Sequence, residues 1–178
     1  VGDVAKGAAL MTGTKVSYRT VSAYADLLSI PAMEKVMMEA MQEAEKPEYT
    51  EEDYAYAAQF AADENSPSID TDILPADQTI NLGSTDVGDV SWQVPTGLIG
   101  VATEATGCAL HTWQIVAQGK SPLAHKGMHY AARILFAAAK KLYESPERCA
   151  LIQDDYQNVI GHRTYQSMLP DSVKPGDF

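Results

Sequence analysis

Cysteine is scarce in this chain: Cys108 and Cys149 are the only two in 178 residues. Two thiols that far apart make neither a disulfide framework nor a zinc knuckle, so a reducing, cytoplasmic setting is the expectation. Basic residues are also few, 13 against 24 acidic ones, giving a formal net charge of −11. A chain with that balance has no basic face for a polyanion, which excludes nucleic acid as a partner. No apolar run approaches the length of a membrane span, so no membrane partner is expected. The opening VGDVAKGAALMTGT has neither a basic leader nor a continuous apolar centre, so it is not read as a signal peptide. It begins mid-pattern and without Met, which suggests a fragment or a processed chain. No Gly-x-Ser-x-Gly elbow, Walker loop or Rossmann glycine fingerprint occurs, which disfavours serine hydrolases, nucleotide phosphotransferases and dinucleotide enzymes.

What is present is ordinary for a folded domain, with 46% apolar and 21% charged residues. Val1, Val4, Ala5, Ala8 and Met11 predict a short helix that Gly13 stops. Residues 15–24 alternate with period two and predict a strand. Pro31 opens a helix whose stripe is Met33, Val36, Met37, Ala40, Met41 and Ala44, a methionine-rich core face rather than a promiscuous groove. Thr50 caps a second helix through Glu51, Glu52 and Asp53. Residues 63–78 read as a long polar loop, in which Asp70, Asp72 and Asp77 lack the spacing of a calcium loop. Residues 98–106 and 109–116 read as two strands of small and β-branched residues. Ser121-Pro122 and Ser145-Pro146 start two further helices. The first is expected to bury Met128, Ala131, Ala132, Leu135, Ala138, Ala139 and Leu142, and the second to end at Gly161. The tail from residue 162 reads as irregular. This order predicts a mixed α/β chain, with too few strands for a self-contained doubly wound sheet.

The polar chemistry concentrates between Asn81 and Tyr130, which hold three of the four histidines. His111 follows Gly107-Cys108-Ala109-Leu110 near a predicted strand end, where a neutral imidazole is a natural ligand for zinc or manganese, although a lone histidine is more often a satisfied structural one. His125 and His129 stand four apart on a predicted helix, a spacing zinc tolerates. The glutamate base of a zinc-hydrolase helix is missing between them, and Lys126 would repel a cation. Asp86 and Asp89 lie in GSTDVGD, where Gly83 and Gly88 permit backbone N–H groups to face an anion or simply close a turn. Cys108 reads as a small buried residue rather than a reactive thiol.

The run GSTDVGDVSWQVPT, followed by GCALHTWQIVAQGKSPLAHKGMHYAA, resembles the C-terminal part of the co-catalytic dizinc metallopeptidases and aminoacylases. The nearest branch is that of the aminobenzoyl-glutamate hydrolases and their amidohydrolase relatives. The opening VGDVAKGAALMTGTKV and the later TEEDYAYAAQFA match that branch too, so the resemblance covers nearly the whole chain. It implies residues 1–24 as the last helix and strand of a ferredoxin-like lid and dimerisation domain. Residues 25–178 would be the second part of a split catalytic α/β domain. It implies His111 as a metal ligand, and Gly83, Ser84, Thr85 and Asp86 as a loop facing the substrate. Two divalent ions, zinc or manganese, would sit about 3.5 Å apart and activate a bridging water. The remaining ligands and the general-base glutamate would lie outside this chain.

The implied reaction is hydrolysis of an N-acyl amino acid, a small molecule, by a homo- or heterodimer joined through the lid. Two departures from the pattern stand out. Relatives carry Pro-Asn at the lid junction, where this chain has Ser29-Ile30. Some carry Glu three residues after the late His, where Gln114 stands, as the aminobenzoyl-glutamate branch tends to have. Two rivals remain open beside the enzyme: a non-catalytic subunit or degenerate paralogue on the same scaffold, and a small-molecule module using residues 83–89 as an anion nest.

Overall fold

In the computed structural model, residues 1–61, 67–75 and 83–174 are described. They form seven helices: α1 Gly2–Thr12, α2 Pro31–Glu43, α3 Glu51–Ala58, α4 Val87–Ser91, α5 Trp113–Gln118, α6 Pro122–Tyr143 and α7 Pro146–Ile160. No strand occurs among the described residues. The expected α/β class is therefore overturned, and with it the closing strand of a ferredoxin-like lid. Period-two alternation says which way side chains would face, but a strand also needs a neighbour to take its backbone N–H and C=O groups. Residues 15–24 and 98–106 lie in segments without regular structure, and no ladder partner meets them among the described residues. The predicted strand 109–116 is instead a turn followed by α5.

The described residues fall into two compact units. Unit one takes residues 1–28, 83–94 and 162–174, and unit two takes 29–61, 67–75 and 95–161.

Unit two is helical and built on α2, α6 and α7. Ile30, Val36, Met37 and Ala40 of the α2 region, Leu123, Ile134 and Ala138 of α6, and Ile152 and Tyr156 of α7 are buried. Met33 and Met41 are half-buried beside them, so the methionine stripe is core. A second cluster joins Ala57 of α3, Ile69, Ala105 and Leu123. The helix starts follow the capping signals. Thr50 and Asp53 form a reciprocal capping box, and Ser121 and Ser145 accept the N–H of Ala124 and Arg148.

The buried stripe of α6 shares Ala138 with the expected one and otherwise differs from it. It runs through Leu123, Ala124, Gly127, Ile134 and Ala138. Met128 and Leu135 are exposed. The apolar arc of α6 is wider than the strip that is buried, so spacing alone does not fix which part of it faces inward. A glycine selects it: a Cβ at Gly127 would stand 2.0 Å from the carbonyl oxygen of Ala102. The backbone of Ala102 and the side-chain methyl of Thr103 lie directly on the helix at the one position that has no side chain.

Unit one gathers around α4. The hydroxyl of Ser91, fully buried, accepts the Leu28 N–H at 3.0 Å and donates to the Gly88 carbonyl at 2.6 Å. Trp92 Nε1–H donates to the Asp26 carbonyl at 2.9 Å, and the Arg163 guanidinium lies 4.8 Å from the centre of the Trp92 ring. Helix α1 ends at Gly13 in the left-handed region (φ 67°), as its sequence predicts. Its apolar stripe is not buried, and Val4, Leu10 and Met11 are exposed.

Candidate functional site

The sequence-selected residues among those described each have a definite place. In unit one, Gly83, Ser84, Thr85 and Asp86 are exposed and lead into α4. The Thr85 hydroxyl accepts the Val87 N–H at 3.3 Å, and the Asp89 N–H bonds the Asp86 carbonyl at 3.2 Å. Two N–H groups that an anion nest would use are thus bonded within the turn. Asp89 serves the structure of the unit. One of its carboxylate oxygens accepts the Ala25 N–H at 3.1 Å and the Tyr165 hydroxyl at 3.0 Å. Loss of hydration and the bond to the Asp89 carboxylate raise the Tyr165 phenol above its ordinary value.

In unit two, His111 does not end a strand. It occupies the turn just before α5 and is exposed. Its φ is +60°, and it is the one non-glycine residue in the left-handed region among those described. Histidine enters that region more readily than most residues, yet holding it there takes support from the surroundings. Part of that support is visible: the Thr112 hydroxyl donates to the Ala109 carbonyl at 2.7 Å, tightening the turn. His125 and His129 are exposed on α6. Lys126, between them, turns inward and pairs with Asp53 of α3. Asp70 is used locally, accepting the Asp72 N–H at 2.9 Å, while Asp77 lies outside the described residues.

Among the described residues no three of His, Cys, Asp and Glu come together in a way that could hold a metal ion. A divalent zinc takes about four donors. His111 supplies one, on an exposed turn, so these residues do not by themselves fit a two-metal centre.

Two features escape the sequence reading. The first is a cleft of about 440 Å³ in unit two, walled by residues 100–102 and 104–108 and by Tyr49, Ile73, Leu74 and Tyr130. That volume lies within the range of small-molecule sites. Burial raises the Tyr49 phenol, helped by the nearby Asp53 charge, and burial alone raises Tyr130. The Thr106 hydroxyl oxygen, which borders the cleft, is buried with no hydrogen-bond partner among the described residues. The second feature is Gln118, whose side chain is fully buried below the His111 turn. No side-chain spacing marks it in the sequence, because its bonds to Ala105 and Gln114 are made to backbone groups.

No helix among the described residues is long and apolar enough to cross a membrane. No family model matches the chain, and no solved structure matches it. One curated protein is similar along almost the whole chain: a p-aminobenzoyl-glutamate hydrolase subunit of Escherichia coli (strain K12). The two are 31% identical over 204 aligned residues, which cover 98% of this chain and 42% of that relative. The chain thus spans about two fifths of the length of the relative it matches.

Proposed function

We propose that this chain is part of an amidohydrolase that cleaves an aminobenzoyl-glutamate-like N-acyl amino acid and releases the amino acid. The observation that carries this reading is the similarity to the p-aminobenzoyl-glutamate hydrolase relative over 98% of the chain. The backbone of His111 supports it independently, because side chains held in sparsely populated backbone regions gather at functional sites.

Amide hydrolysis requires a water to be activated, the carbonyl to be polarised and the leaving amine to be protonated. In this reading His111 is a single ligand to a divalent ion, zinc or manganese. Gly83, Ser84, Thr85 and Asp86 face the substrate. The general base and the remaining ligands come from residues beyond this chain, in a dimeric protein. The experiment is a hydrolysis assay of the full-length protein with p-aminobenzoyl-glutamate, with and without added zinc or manganese. Metal-dependent release of glutamate supports the reading, and no release under either metal opposes it.

A second reading takes its support from the relative's being one subunit of its hydrolase. The chain would then serve a multi-subunit protein as scaffold without doing chemistry. It predicts that His111→Ala leaves the hydrolysis rate of the assembled protein unchanged.

A further inference from the structure

We infer that Gln118 is a positioning residue for the His111 turn, which rests on the reading of His111 as a functional side chain. Its amide is fully buried, and an amide in that position must be hydrogen-bonded or it destabilises the fold. All three bonds it makes go to the loop and the helix on either side of His111. Its Oε1 accepts the Ala105 N–H at 2.7 Å. Its Nε2 donates to the Gln114 carbonyl at 3.1 Å and to the Cys108 sulfur at 3.5 Å.

These contacts close a ring. Residues 105–108 enter the loop, His111 sits at its tip, and α5 carries the chain back to Gln118. One side chain therefore grips the incoming arm, at Ala105 and Cys108, from the end of the outgoing arm. Two further bonds stiffen the loop: the Thr106 N–H to the Ser68 carbonyl at 3.0 Å, and the Cys108 N–H to the Ala105 carbonyl at 3.2 Å. Beyond Cys108, the Thr112–Ala109 bond holds the turn that places His111 at φ +60°. A leucine or methionine at 118 would fill a buried volume without gripping either arm. The polar choice pins a loop whose tip is an exposed imidazole, and fixing loop ends removes freedom from what lies between them.

Gln118 does not reach the solvent face of the turn, so its effect passes through His111. The test uses the full-length protein with Gln118→Met, which removes both bonding groups. Gln118→Glu, read at a pH where its buried carboxyl is protonated, keeps the acceptor for Ala105 and has one O–H donor in place of two N–H donors. Imidazole ¹H–¹⁵N resonances of His111 and amide exchange of residues 105–112 are read beside the melting temperature and the hydrolysis kinetics.

The expected result for Gln118→Met is a displaced His111 resonance and about tenfold faster exchange at residue 105. Protection in α2, α6 and α7 stays unchanged, and kcat falls with KM preserved. Gln118→Glu falls between this variant and the wild type. Unchanged His111 resonances and unchanged loop exchange in either variant overturn the inference. Should Gln118→Met fail to fold, Gln118→Glu decides by the same resonances. If His111→Ala leaves hydrolysis intact while Gln118→Met still displaces the imidazole, the functional reading fails and the positioning of the turn stands.

Discussion

The ammonium of Lys126 on α6 donates to the carboxylate of Asp53 on α3, and Asp53 is only 5% exposed. The same carboxylate oxygen accepts the Thr50 N–H at 2.7 Å and the Thr50 hydroxyl at 2.8 Å. One side chain thus completes a helix cap and joins two helices of unit two. Lys126 also lies 5.8 Å from the centre of the Tyr49 ring.

Removing the cation leaves a buried carboxylate with only its cap bonds. Lys126→Met is expected to destabilise unit two by about 2 kcal/mol, less than a fully dry pair because Lys126 is partly exposed. Urea unfolding of wild type and variant measures it, and a loss under about 0.5 kcal/mol would place the pair among ordinary surface pairs.

The same contact sets a pH dependence. Burial raises the Asp53 carboxyl, but the bonds from Lys126 and Thr50 outweigh burial and hold it below its ordinary value. A carboxyl depressed in the folded state stabilises the fold above its unfolded value, near 4, and loses that contribution as pH falls through the lower folded value. Melting temperature should therefore drop from about pH 5 downward, and the drop should be smaller in Asp53→Asn, which has no such carboxyl to protonate.

Gly127 tests the packing of α6. Replacing a mid-helix glycine by alanine ordinarily stabilises by about 1 kcal/mol. Here the added Cβ meets backbone, 2.0 Å from the Ala102 carbonyl oxygen. Gly127→Ala should instead destabilise by about 2 kcal/mol or more, read from denaturant midpoints. A stabilised variant would mean that residues 102–103 do not lie against this helix.

Metal binding separates one ligand from a complete centre. Isothermal titration of the 178-residue chain with zinc should show no tight stoichiometric site, because the described donors do not cluster. One tight equivalent would show that this chain assembles a centre by itself.

Much of unit two was legible because its signals are local. Thr50, Ser121 and Ser145 mark helix starts through bonds made within three residues of each cap, and Pro31 marks one through its fixed φ at the first helical position. Gly13 marks a stop for the same reason. What failed depends on partners distant in sequence. Residues 15–24 and 98–106 have strand-like patterns but meet no ladder among the described residues. The inward face of α6 was set by the Ala102 backbone reaching Gly127, which periodicity cannot report. At the candidate site, His111 was selected by residue type and resemblance. Its left-handed backbone and the Gln118 anchor needed coordinates.

The most direct test of the central claim is the rate of p-aminobenzoyl-glutamate hydrolysis by the full-length protein, compared with His111→Ala and His111→Asn. Asparagine tolerates a φ of +60°, so it preserves the turn while removing the imidazole. In both variants kcat/KM is expected to fall at least about a hundredfold, roughly 2.7 kcal/mol of transition-state stabilisation, with melting temperature retained in His111→Asn. Wild-type kcat/KM in a folded His111→Asn protein would contradict it.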